Sequence, residues 1–199
     1  MATFSDRPRR ALLGLCVLAG VVGSGAGSPV QAQTRLTQDE ALRLAFPAPA
    51  EIERRTAYLD ETQLAEASEL AGSEVKAAVV TYYVARSGKT PLGVAWFDAH
   101  RVRTHPEVLM IVVNPAGEVD RIELLRFAEP PKYAAPAGWL ARFTGRRLRA
   151  DLDAKNAVAG MTGATLTSRA VTDAVRRALA LQQTIRPLEG KITVGGGGG

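Results

Sequence analysis

The chain has 199 residues, enough for one domain with a short appendage, and its 46% hydrophobic content is ample for a core. The formal charge of +5 shrinks once residues 1–32 are set aside: they hold Arg7, Arg9, Arg10 and Asp6, so 22 basic and 19 acidic residues remain. That mildly basic balance gives no support to nucleic-acid binding. Cys16, the single cysteine, lies in the same leader, which excludes disulfides, iron–sulfur clusters, thiolate zinc sites and c-type haem from the rest of the chain.

The N-terminus has the pattern of a secretory signal peptide over residues 1–32. Arg7-Pro8-Arg9-Arg10 precedes an apolar run from Ala11 to Val22, and Val30-Gln31-Ala32 offers a small-x-small cleavage site, so the mature chain is expected to start at Gln33. The alternative is an uncleaved anchor, for which the compact apolar run is short. The expected location is periplasmic or otherwise extracytoplasmic. Redox chemistry there, without cysteine, calls for an organic cofactor.

Residues 33–72 read as a lead-in of helices and a strand. Thr37-Gln38-Asp39-Glu40 is a capping box opening a helix to about Phe46, where Pro47 and Pro49 stop it. Glu51–Leu59 reads as a strand, and Thr62–Ala71 as a helix ended by Gly72. Residues 73–185 hold the main domain. Val75–Ala85 and Leu92–Phe97 flank a turn at Ser87-Gly88-Lys89, and Glu107–Val113 and Glu118–Phe127 flank Asn114-Pro115-Ala116-Gly117, giving two hairpins. Strand runs flanked by helices, rather than strict alternation, predict an α+β fold with an antiparallel sheet built from hairpins and a C-terminal helix.

Glu129-Pro130-Pro131-Lys132-Tyr133 reads as a turn, and Gly138–Phe143 as a helical turn carrying Trp139. Arg142, Arg146, Arg147 and Arg149 form a basic cluster, either a solvated face or a docking surface for an acidic partner. The turn Thr162-Gly163-Ala164-Thr165-Leu166-Thr167-Ser168 then enters the strongest helix. Ala170, Val171, Ala174, Val175, Ala178 and Leu179 recur at helical spacing, Arg169, Asp173, Arg176 and Arg177 fall on the other side, and Ser168 or Thr167 is the expected cap. Residues 186–199 are expected to form a disordered glycine-rich tail, in which Gly195–Gly199 has no packing content.

Few chemistries suit this inventory. His100 and His105 are too few for a histidine-rich metal site, no Gly-x-Ser-x-Gly elbow is present, and both Gly-x-Gly-x-x-Gly and the P-loop pattern are missing. What remains is the hydroxyl-rich turn. A helix N-terminus with free amides is a seat for a phosphate, and Gly163 and Ala164 let a ligand approach the backbone.

The stretch from Thr162 to Val171 resembles the flavinylation motif of the FMN-binding domain family, found in subunits of sodium-translocating NADH:quinone reductase and of the Rnf electron-transport complex. The resemblance covers about Val75–Leu181, and includes the hairpin after Asn114, the Phe127-Ala128-Glu129-Pro130-Pro131 turn and Trp139-Leu140-x-x-Phe143. It implies FMN joined by a phosphodiester bond to Thr165, with Thr162, Gly163, Ala164 and Thr167 around it. Many members have an aspartate three residues before the motif's first Ser/Thr, where this chain has Ala159. The Glu-Thr-Pro-Gly-Leu-Gly turn of the complex subunits is Glu129-Pro130-Pro131-Lys132-Tyr133-Ala134 here, which suggests a stand-alone relative.

The sequence near Thr165 has neither histidine nor carboxylate to activate its hydroxyl, so attachment falls to a separate flavin transferase and the protein is a carrier rather than a catalyst. Tyr133 and Trp139 are candidates to lie against the isoalloxazine; Glu129, Thr104 and Glu107 are candidates to bond its polar edge. The implied partners are a membrane-associated electron donor and an extracytoplasmic acceptor. A second reading is a non-redox interaction module that keeps the fold and binds FMN loosely or not at all.

Overall fold

The computed structural model describes residues 33–34, 36–153 and 160–189. The leader, Ala159 and residues 190–199 lie outside them. Thr37 caps α1 (Gln38–Ala45) through the expected box: its hydroxyl accepts the Glu40 N–H at 3.3 Å, and the Glu40 carboxylate accepts the Thr37 N–H at 2.8 Å. Asp60 and Gln63 make a second box on α2 (Glu61–Ala71), so that helix starts one residue before the sequence reading placed it.

Between the two helices runs β2 (Glu51–Tyr58), and after them β3 (Val79–Ser87), β4 (Thr90–Val102), β5 (His105–Val113) and β6 (Val119–Phe127) follow as a meander. With the two-residue β1 (Gln33–Thr34) they form one antiparallel sheet in the order β1-β6-β5-β4-β3-β2. The α+β class expected from the strand runs is what the chain adopts.

Two strands differ most from the sequence reading. β3 starts at Val79, and Val75 is instead buried with Ala67 and Ala71 of α2. β4 runs on past Phe97 to Val102, because Asp98, His100 and Val102 alternate toward one face and find partners there. A polar strand end with buried partners carries no hydrophobic signal, so the pattern stops early.

One face of the sheet packs Val84, Val94, Trp96, Leu109 and Ile111 against Val171, Ala174, Val175 and Ala178 of α4 (Thr165–Ile185). The other packs Ala85, Ala95, Met110 and Val112 against Ala41, Leu42 and Phe46 at α1. β5 is covered on both sides, which is why Leu109–Val113 is apolar without alternation.

β4 also passes close to the end of β5: a Cβ at Gly93 would stand 2.8 Å from the Val113 carbonyl oxygen and 3.4 Å from the Phe46 ring. Gly93→Ala is therefore expected to destabilise the domain by about 1–3 kcal/mol. An unfolding midpoint equal to wild type in urea would remove the crowding argument.

The polar side of α4 is less solvated than its charge suggests. Arg176 reaches across to α2, donating to the Ala71 carbonyl at 2.6 Å and the Leu70 carbonyl at 3.1 Å, and to the Arg149 and Leu152 carbonyls at 2.8 and 3.0 Å. One guanidinium thus satisfies the C-terminal end of α2 and ties down the segment before the turn. Arg176→Met is expected to cost about 2–3 kcal/mol, because it strips charged donors from four carbonyls. The exposed Arg169→Met should stay within about 0.5 kcal/mol, and equal losses in the two variants would return Arg176 to the solvated face.

Candidate functional site

α4 begins at Thr165, three residues before the start expected at Ser168, and its N-cap is Ala164, which offers no side-chain acceptor. Neither proposed cap acts as one. Ser168 Oγ turns back, donating to the Ala164 carbonyl at 3.1 Å and accepting the Met161 N–H at 2.9 Å, and Thr167 is buried at 1% exposure. The serine hydroxyl thereby closes the loop from Met161 onto the helix. The first intrahelical bond runs from the Ser168 N–H to the Ala164 carbonyl at 3.0 Å, leaving the amides of residues 165–167 ahead of the ladder. Gly163 has φ +78°, a left-handed conformation that sets up this entry without a Cβ penalty.

Thr162, Gly163 and Thr165 are exposed and Ala164 is buried. Residues 163–167 form one wall of a groove of about 220 Å³, whose other wall is Val102, Arg103, Glu129 and Tyr133. Glu129 is 6% exposed, and its Oε1 accepts the Thr104 and His105 N–H groups at 3.1 Å each. Burial pushes its carboxyl up, but those backbone bonds and His105, 3.2 Å away, outweigh it and hold the group below its ordinary value. The groove therefore contains a carboxylate that the sequence around Thr165 does not reveal, although a low-pKa carboxylate is a weak base.

The other ring candidates stand apart from this lining. Thr104 contributes its N–H and hydroxyl to Glu129 and bonds His105 at 2.9 Å. Trp139 is a core residue packed edge-on against Phe143, ring centroids 5.3 Å apart. Glu107 is 0% exposed and bonds His100. Arg103 and Val102, which do line the groove, were not among the candidates, because the Arg103-Thr104 turn between β4 and β5 carries none of the glycine or asparagine that marks a hairpin.

Beside the groove a buried charge network fastens β4 and β5 to α4. Arg177 grips Asp98 with two bonds of 2.9 and 2.8 Å, Asp98 Oδ1 lies 2.8 Å from His100 Nδ1, and His100 Nε2 lies 2.8 Å from Glu107 Oε2. Burial pulls the His100 imidazole down, but the hydrogen bonds and charges of Asp98 and Glu107 overcome it and hold the ring up at about 9. Burial likewise pushes Asp98 up, and His100 and Arg177 outweigh it, lowering its carboxyl to about 2. His100 is thus a cation at neutral pH.

In the basic cluster Arg147 is committed to Glu118 at 3.0 Å, while Arg142 and Arg149 are exposed. Among the described residues no group of acidic, histidine and cysteine side chains is arranged to hold a metal ion, and no helix is long and apolar enough to cross a membrane.

A helix-backed antiparallel sheet with a groove at the opening of its long helix defines a small α+β domain. Residues 105–180 match the FMN-binding domain family, so the chain carries an FMN-binding domain. The matched span runs from the first residue of β5 through most of α4, and contains Thr165 together with Glu129 and Tyr133. No curated protein matches the chain.

Proposed function

We propose that this protein is an exported flavoprotein carrying FMN as a phosphodiester on Thr165, and that it passes electrons between a membrane-associated donor and an extracytoplasmic acceptor. The observation that carries the reading is the position of Thr165: an exposed hydroxyl on the first residue of α4, in a groove within the FMN-binding domain. FMN supplies reversible one- and two-electron chemistry. The chain's own residues supply the rest.

The open amides of residues 165–167 and the positive end of the α4 dipole offset the single negative charge of a phosphodiester at this position. Tyr133 gives the groove an aromatic surface, and Glu129 holds the β4–β5 turn as its opposite wall. At about 220 Å³ the groove is smaller than the 300–1,000 Å³ usual for enclosing a drug-sized ligand, so part of an FMN would remain at the surface, open to a partner. A covalent tether suits a compartment with no flavin pool to rebind from. Attachment is the work of a separate flavin transferase, since Glu129, the groove's carboxylate, is already engaged by two backbone amides.

The test is intact-mass analysis of protein recovered from its native envelope, with the same protein run on a denaturing gel. The reading expects the chain from Gln33 with the added mass of one phosphoester-linked FMN, and a fluorescent band. An unmodified mass from cells with active flavin transferase would turn the reading to a non-redox binding module.

A further inference from the structure

The β4–β5 turn has only two residues between the paired Val102 and His105, and its first residue, Arg103, adopts φ +52°. That conformation favours glycine or asparagine, and a long side chain there carries a backbone cost. The turn is nonetheless held firmly from both sides. Arg101 donates to the Thr104 carbonyl at 2.5 Å, and Glu129 accepts the Thr104 and His105 amides at 3.1 Å. Strain kept in place by surrounding structure at the wall of a ligand groove points to a use for the side chain.

Among the described residues that line the Thr165 groove, Arg103 is the cationic one, and Lys132 Nζ, outside the lining, lies 5.0 Å from the centre of the Tyr133 ring. The Arg103 guanidinium lies 5.9 Å from the centre of the Tyr133 ring, and among the described residues it has no carboxylate or carbonyl partner. Its N–H donors are therefore uncommitted. Opposite in character is Glu129, which among the described residues accepts all of its bonds on Oε1 and none on Oε2. The groove thus presents an unused fork of donors and an unused acceptor beside one aromatic ring.

We propose that Arg103 reads the flavin ring, its guanidinium donating to one carbonyl oxygen of the isoalloxazine's pyrimidine edge while Glu129 Oε2 accepts the adjacent ring N–H. The inference rests on the flavin reading above and assigns the residues that choose the ring rather than the phosphate.

The experiment uses Thr165→Ala protein, which stays free of covalent flavin, and titrates it with FMN and with lumiflavin, the bare ring system, by fluorescence quenching. Adding Arg103→Gly is expected to weaken both ligands by about tenfold or more, because charge-assisted hydrogen bonds are lost. Arg103→Lys should recover part of that loss. The thermal midpoint of the glycine variant should be no lower than that of its parent, since glycine relieves the positive φ.

Weaker FMN binding with unchanged lumiflavin binding would place the guanidinium on the phosphate and overturn the assignment. Unchanged binding of both ligands, or a lowered thermal midpoint, would give Arg103 a role in the turn alone. Failure of both ligands to bind the parent protein would overturn the assignment, while the flavin reading stands or falls separately on whether wild type made with active flavin transferase fluoresces on a denaturing gel.

Discussion

Thr165→Ala, coexpressed with an active flavin transferase, should give a dark band on a denaturing gel where wild type fluoresces, while unfolding within about 1 kcal/mol of wild type. Three hydroxyls in the turn are candidates for the proposed attachment, and they differ in exposure and position. Thr167 is 1% exposed, so a transferase cannot reach it without opening the first turn of α4. Thr162 is exposed, but it precedes the left-handed Gly163 and does not line the groove. Thr165 is both exposed and in the lining.

Removing an exposed hydroxyl at a helix's first position forfeits little stability, whereas the chemical effect is complete because the bonding oxygen is gone. Thr165→Ser should retain some attachment. Thr167→Ala should keep the flavin, and its cost of about 1 kcal/mol arises from a buried methyl and hydroxyl rather than from a lost cap. A fluorescent Thr165→Ala band would move the attachment elsewhere.

What could be read from the sequence was whatever rests on local pattern. The Thr37 box, the two hairpins around Lys89 and Pro115, and the apolar stripe of α4 from Val171 to Leu179 follow from capping chemistry and periodicity, and the structure has all of them. The hydroxyl-rich turn was legible in the same way, and the FMN-binding domain match includes it.

What was hidden depends on pairing over distance. Asp98 and Arg177 are 79 positions apart, and nothing local distinguishes them from surface charges. Ser168 reads as a cap because serine before an apolar run usually is one, yet the Met161 amide, seven positions back, takes its oxygen. Arg103 escaped because a turn without glycine looks like continuing strand. The part of the groove wall that comes from β4, Val102 and Arg103, therefore emerges only once the sheet is assembled, whereas Glu129 and Tyr133 after β6 were already candidates in the sequence.

The second large effect is expected at His100. Its folded value of about 9 lies above the ordinary 6.5, so the network contributes stability that is fully present below about pH 6.5 and is lost as pH rises through about 9. The gap corresponds to about 3 kcal/mol, an upper figure because the ring keeps 12% of its side-chain exposure. On the acid side Asp98 acts in the opposite sense. Its contribution is present above about pH 3.8 and is lost as pH falls through about 2. The two windows share the His100–Asp98 bond, so their energies do not add.

His100→Gln should therefore lower stability at pH 7 by about 3–5 kcal/mol, because it leaves Glu107, 0% exposed and with Oε1 already unpartnered, as a buried charge without a counter-ion. Adding Glu107→Gln should recover part of the loss, since two amides can bond each other without a charge to desolvate. The measurement is a double-mutant cycle by urea unfolding at pH 6, 7 and 9.5. Wild type should lose stability between the first and last, and the double variant should lose much less. A double variant no more stable than His100→Gln, or a wild-type profile flat across that range, would show that His100 is packed there as a neutral ring and that Arg177 and Asp98 hold α4 to β4 without it.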